Sequence, residues 1–184
     1  MRKSSWFSLG AVVLALCISP SLVFADDAPD ADIAANMPPR ERALVDIMLG
    51  ARKDFRSSHV TSAASDARVN MQIRVMSFMR ESQVATDWIG TVKTRGLTAE
   101  GAAWITIAIA DGVTISTWQT ELDDQTNATL FLPHSKLFPT VQSAKIGAPV
   151  IFSGTILKSV LGSDDEMVLR PQFIARFNSV KLTQ

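Results

Sequence analysis

The chain has 184 residues, room for one domain and an appendage, and its 47% hydrophobic and 20% charged content excludes a disordered polymer. Eighteen Lys and Arg balance eighteen Asp and Glu, which is not the charge of an electrostatic partner for nucleic acid or anionic lipid. The single cysteine, Cys17, and the absence of tyrosine narrow the side chains available for metal or nucleophilic chemistry.

Arg2 and Lys3 give a basic start, and an apolar run from Trp6 to Leu16 resumes after Ser19 and Pro20 as Leu22-Val23-Phe24-Ala25. Compact Val23 and Ala25 suit the small-residue positions of a cleavage site, with Asp26-Asp27 directly behind. The pattern predicts a secretory signal over 1–25, cleaved after Ala25. The alternative, an uncleaved anchor, is opposed by Pro20 within the roughly 20 residues a span needs. Bulky Leu16 before Cys17 opposes a lipoprotein. Cleavage would leave no cysteine, hence no disulfide and no thiol chemistry, and 16 basic against 18 acidic side chains, a net of −2. This fits a bacterial periplasmic or secreted protein. In such a protein the sequon Asn127-Ala128-Thr129 is chance.

Residues 26–38 are acidic, Ala-rich and bounded by proline, and read as a flexible, solvated leader. A helical extension over 39–83 follows. Pro38-Pro39 opens its first helix, expected over 39–57, with a stripe at Leu44, Met48, Ala51 and Phe55. Glu41 near its start and Arg52, Lys53 and Arg56 near its end suit the helix dipole. Ser57-Ser58-His59 breaks it. A second segment, capped by Ser62 or Ser65 and reaching about Arg80, places Val69, Ile73, Met76 and Arg80 on one helical face, with Met71, Val75 and Phe78 beside it. Alternation at Val69, Met71, Ile73 and Val75 also permits a strand, but the alanines and methionines favour helix.

From Val84 the period becomes two, and residues 84–184 read as a barrel domain. Val84 to Val92 is a first strand, with Gly90 marking a bulge or sharp bend. Lys93 to Gly101 reads as a turn. Ala103 to Ala110 is the second strand, Asp111-Gly112 a short hairpin turn, and Val113 to Gln119 the third strand. A strict two-residue turn would set one strand's apolar face against the other's polar face. A bulged or three-residue turn that brings Ile109 opposite Ile115 restores agreement. Trp104 and Trp118 then lie on the outer face as diagonal neighbours, while Trp88 belongs to the core or rim.

Residues 120–134 read as a polar connection, and Ser135 as the cap of a short helix over Lys136 to Val141. Pro149 to Lys158 is the fourth strand, with Gly154 inside it. A polar loop over 159–171 holds the short apolar stretch Met167-Val168-Leu169. Gln172 to Leu182 is the fifth strand. Three strands, a helix-bearing connection and two more strands is the order of a five-stranded OB-fold-like barrel, here preceded by one or two amphipathic helices. Glycines in its first and fourth strands suit the coiling such a barrel needs.

Trp88-Ile89-Gly90-Thr91-Val92, Ile107 to Val113 and Val150-Ile151-Phe152-Ser153-Gly154 carry a resemblance to periplasmic bacterial OB-fold proteins, over about residues 84–182. The resemblance implies a small exported envelope protein tied to binding or stress tolerance. It is a likeness of fold and transfers no function by itself.

The histidines, His59 and His134, have no partner at metal-ligand spacing, so a zinc site is not expected and His134 reads as a surface residue. Asp123-Asp124 and Asp164-Asp165-Glu166 lack the spacing of a calcium loop and read as solvated acid. Neither a nucleophile elbow nor a P-loop nor a dinucleotide fingerprint occurs. The sequence thus points to a non-enzymatic module without cofactor or metal, whose partner is a peptide, a glycan or another envelope protein. The candidate ligand-binding residues are Trp104 and Trp118, where OB-folds take their ligands, with Lys93 and Arg95 for anions. A single-stranded nucleic-acid binder using the same four residues is the alternative; an enzyme is the minor reading. Whether the N-terminal helices cover the two tryptophans decides between a binding surface and an internal seam.

Overall fold

The computed structural model describes residues 35–58, 61–118, 128–160 and 164–183. Residues 1–25, read above as a signal, most of the acidic leader, His59, the Asp123-Asp124 pair and Asn127 lie outside the described residues.

Helix α1 spans Pro39–Ser57 and α2 spans Thr61–Glu81. Proline occupies the first turn of α1, where its missing N–H costs no intrahelical bond. The expected stripe of α1 faces inward: Leu44, Met48 and Ala51 are buried, with Val45 beside them. The second segment is helix. It buries Ala67, Met71, Val75 and Phe78, whereas Val69, Ile73 and Met76 are 49%, 56% and 62% exposed. Both sets recur at helical spacing, so periodicity alone does not tell which set packs. Arg40 ties the two helices together: it lies 4.1 Å over the Phe78 ring and donates to the carbonyls of Phe78 and Ser82. The leader is not wholly solvated, because Met37 is buried beside this junction.

Five strands follow: β1 (Val84–Leu97), β2 (Ala103–Ala110), β3 (Val113–Ser116), β4 (Pro149–Val160) and β5 (Gln172–Leu182), with α3 (Phe138–Ser143) before β4 and α4 (Asp164–Leu169) after it. They close a barrel in the order β1-β2-β3-β5-β4, with β1 pairing β4 and β3 running parallel to β5. This is a five-stranded OB-fold-like barrel with an N-terminal helical extension. Its interior is filled by Trp88, Ile105, Ile107, Phe152, Ile156 and Phe173, none more than 1% exposed. The rings of Trp88 and Phe152 meet edge to face, and Phe152 packs on Phe177 at 5.0 Å.

Several boundaries differ from the sequence reading, each for a reason. β1 runs on through Leu97, so Lys93 and Arg95 are strand residues and not turn residues. A register shift between Val92 and Thr94 absorbs the polar stretch as a bulge. β3 stops at Ser116, shorter than expected. The short helix after Ser135 begins at Phe138, with Pro139 in its first turn, where it fits. β4 extends to Val160. Met167-Val168-Leu169 lies on helix α4, which buries Met167 and Val168 against the core. The isolated apolar triplet was too short to show a helical period.

The β2–β3 hairpin is bulged, but on the β2 side. Ala110 pairs with Val113, the register shifts between Ala108 and Ala110, and Ile115 then faces Ile107 and not Ile109. The inward faces agree again, by the other of the two one-residue adjustments. Gly154 is needed for close approach, since a Cβ there would overlap the Arg176 carbonyl and the Phe177 backbone. The register shift between Ser153 and Gly154 sits at the same place, so coiling and glycine coincide.

The ends of the barrel are closed differently. The start of β1, the Asp111-Gly112 turn, the end of β4 and the start of β5 gather at one end, under α1, α2 and α4. At the opposite end, α3 packs near β1, β2 and β5.

Candidate functional site

The outer face of β1, β2 and β3 carries the tryptophan pair. Antiparallel pairing brings Gly96 opposite Trp104 and Thr94 opposite Thr106, which faces Ser116 on β3. The same register, carried past the end of β3 by the hydrogen bond from Thr117 N to the Ile105 carbonyl, sets Trp118 directly across from Trp104. The two are therefore opposite and not diagonal neighbours, because the bulge lies in β2. Their ring centroids are 6.0 Å apart with a 37° tilt, within the range of a favourable aromatic pair.

Gly96 makes room for this pair. A Cβ there would come within 2.6 Å of Cζ2 of Trp104, so the indole lies flat across the glycine. An aromatic covering a cross-strand glycine restores the area the glycine does not supply. Both tryptophans are half-buried, and neither belongs to the hydrophobic core, whereas Trp88 is 1% exposed within it. The indole N–H of Trp118 is buried without a hydrogen-bond partner among the described residues. Beside the pair runs a hydroxyl row: Thr106 donates to Ser116 at 3.1 Å, and Ser116 donates to the Trp118 carbonyl at 2.9 Å.

The helices do not roof this face. α1 and α2 cap the end of β2 marked by Asp111-Gly112, and Trp104 lies near the start of β2. Of the candidate cations, Lys93 is exposed at the β1 bulge. Arg95 is paired with Ile105, so it is placed on the opposite side of β1 from Gly96 and the indoles. Its Nε donates to the Ala144 carbonyl just after α3. The four residues thus separate into a joined aromatic pair and two exposed cations, of which Arg95 is bonded through Nε to the Ala144 carbonyl.

Two charged residues that the sequence reading gave to the helix dipole have inward roles at the other end. Glu41 is fully buried, and its Oε2 accepts a 2.9 Å hydrogen bond from the Ile89 N–H. Oε1 has no partner among the described residues. Burial pushes its pKa up to about 8, and the Ile89 hydrogen bond pulls in the opposite direction. Arg52, 5% exposed, reaches the hairpin turn, with Nη1 2.8 Å from Asp111 Oδ2 and Nη2 2.8 Å from the Asp111 carbonyl. Gly112 leaves space for that guanidinium. The residues are evident on α1, but their partners lie 48 and 59 positions away, where no helical periodicity reaches.

Among the described residues no group of three His, Cys, Asp or Glu is placed to hold a metal, and no helix is long and apolar enough to cross a membrane. His134, Asp165 and Glu166 are exposed. No protein-family model, curated protein or solved structure matches the chain.

Proposed function

We propose that the protein is a non-enzymatic binding module of the bacterial envelope, exported by its N-terminal signal, that takes a ligand on the outer face of β1–β3. The ligand classes that suit it are a peptide, a glycan or another envelope protein. The observation that carries this reading is the Trp104–Trp118 pair, half-buried outside the core at the end of the barrel away from α1 and α2. That surface is where OB-folds engage elongated ligands. The two indoles offer an apolar platform for such a ligand. The near-neutral charge of the chain weighs against the nucleic-acid alternative.

Tryptophan fluorescence tests it. A Trp88→Phe variant removes the core indole's signal, and the protein is titrated with soluble peptides, glycan fragments and single-stranded oligonucleotides. Saturable quenching by a peptide or glycan, little changed by moderate salt and lost in Trp104→Ala and Trp118→Ala, is expected. Quenching by oligonucleotides that weakens steeply with salt establishes the alternative. No response to any probe rejects the face as a binding surface.

A further inference from the structure

We propose a second site at the other end of the barrel: the methionine-lined cavity between α1, α2, α4 and the β4–β5 end binds a small uncharged molecule with a hydrocarbon body. The cavity measures about 220 Å3. Four of the protein's seven methionines, Met48, Met71, Met76 and Met167, converge on it from three helices. A seam that only fastened helices to a barrel would be better fixed by branched side chains. Thioethers turn on three bonds and reshape themselves around an occupant. The pocket's apolar walls open to water on the α2 side, and an apolar occupant removes that exposure.

Size and polarity define the ligand class. A dry cavity of roughly 150 Å3 in another protein holds benzene, so this larger one suits one or two rings or a short chain. The polar members of its lining are Gln72, Ser159 and Gln172, all neutral, and among the described residues no ionisable side chain lines it. A charged head would lie beside apolar walls with no counter-charge; an alcohol, amide or amine of neutral form could bond to the glutamines. The Gln72 amide is engaged by a weak 3.9 Å contact to the Met167 sulfur, which an oxygen acceptor would displace. Entry is from the α2 side, where Met76 is 62% exposed. The site shares no residue with the tryptophan face and stands or falls independently of it.

The test is a titration of the purified protein with 6-propionyl-2-dimethylaminonaphthalene, a neutral two-ring fluorophore whose emission shifts to the blue in apolar surroundings. One saturable site is expected. 1-Octanol should displace the probe, and octanoate should do so at least tenfold less well. Gln72→Trp, which plugs the mouth from an exposed position, should weaken binding at least tenfold. Ile73→Ser, on the exposed side of α2 outside the lining, should change it less than twofold. Unsaturable uptake, equal competition by octanol and octanoate, or unchanged binding by Gln72→Trp overturns the proposal. If Gln72→Trp loses its cooperative melt, methionine-methyl NMR of the wild type decides. Shifts at Met48, Met71, Met76 and Met167 that spare Met37 and Met79 support the site; any other pattern, or no shifts, rejects it.

Discussion

At the end of the barrel under α1 and α2, ionisable groups are taken out of water; at the end near α3, the outward rows of β1–β3 are glycine, hydroxyls and indoles. The contrast separates two tasks. Glu41 and Arg52 stand eleven residues apart on α1, about 16 Å along a helix. Each bonds to a different part of the barrel, Ile89 and the Asp111 turn. Together they fix the rotation and position of α1, which apolar contacts alone leave less defined. Buried polar groups of this kind contribute specificity more than net stability. Among the described residues the tryptophan end has no buried ionisable anchor, and its pair adds little to the core.

The comparison breaks most readily through the tryptophans themselves. Trp88→Ala should cost about 3–5 kcal/mol, as expected for a large side chain removed from a packed core. Trp104→Ala should cost about 1 kcal/mol, the size of an aromatic pair contact. Urea denaturation of the two variants measures both. Equal losses would make the outer pair part of the core and erase the distinction.

Glu41 sharpens it next. Its carboxyl has a native pKa of about 8 against an ordinary 4.5. The native state therefore holds a proton that the unfolded state releases between those values. Stability is undiminished below pH 4.5 and declines as pH rises to about 8, by about 1.4 kcal/mol per unit. Glu41→Gln keeps an acceptor for the Ile89 N–H and carries no charge. At pH 7 it should be more stable than wild type by roughly 3 kcal/mol, with a flatter profile between pH 5 and 8. Unfolding curves at pH 5, 7 and 9 settle this, and parallel profiles would show that the carboxyl is hydrated in solution.

Arg52 gives a smaller effect. Its partner Asp111 is 41% exposed at the side chain, so after Arg52→Ala the carboxylate can rehydrate. The variant should lose about 1–2 kcal/mol, the two hydrogen bonds discounted for solvent. Asp111→Ala should cost more than its exposure suggests, because it leaves the buried guanidinium with the turn carbonyl alone. A double-mutant cycle between the two positions that returns no coupling would remove this anchor from the account of α1.

How much of this was legible in the sequence follows from the range of each interaction. The order of the strands along the chain, the helix starting at Pro39, the core role of Trp88 and the glycine at 154 come from patterns a few residues long: a period of two, a proline in a first turn, a strand interrupted by glycine. The strand β5 was readable to its ends for that reason. The bulge near Asp111-Gly112 was also legible, since the apolar faces had to agree. Its side was not, because placing the extra residue on either strand restores agreement, and only the closed barrel selected β2. The same limit applies to α2, whose two apolar sets fit a helix equally well.

The sequence by itself therefore determined the first two helices, the five strands, their order along the chain and the tryptophans' outward parity, because those depend on local backbone periods. Tertiary structure decided which face of α2 packs, that Glu41 and Arg52 turn inward to partners in the barrel, that Arg95 bonds to Ala144 away from the indoles, and that four methionines surround one cavity. Each of these is a meeting of side chains far apart in the chain, and their burial is set by closure of the barrel and seating of the helices on one of its ends.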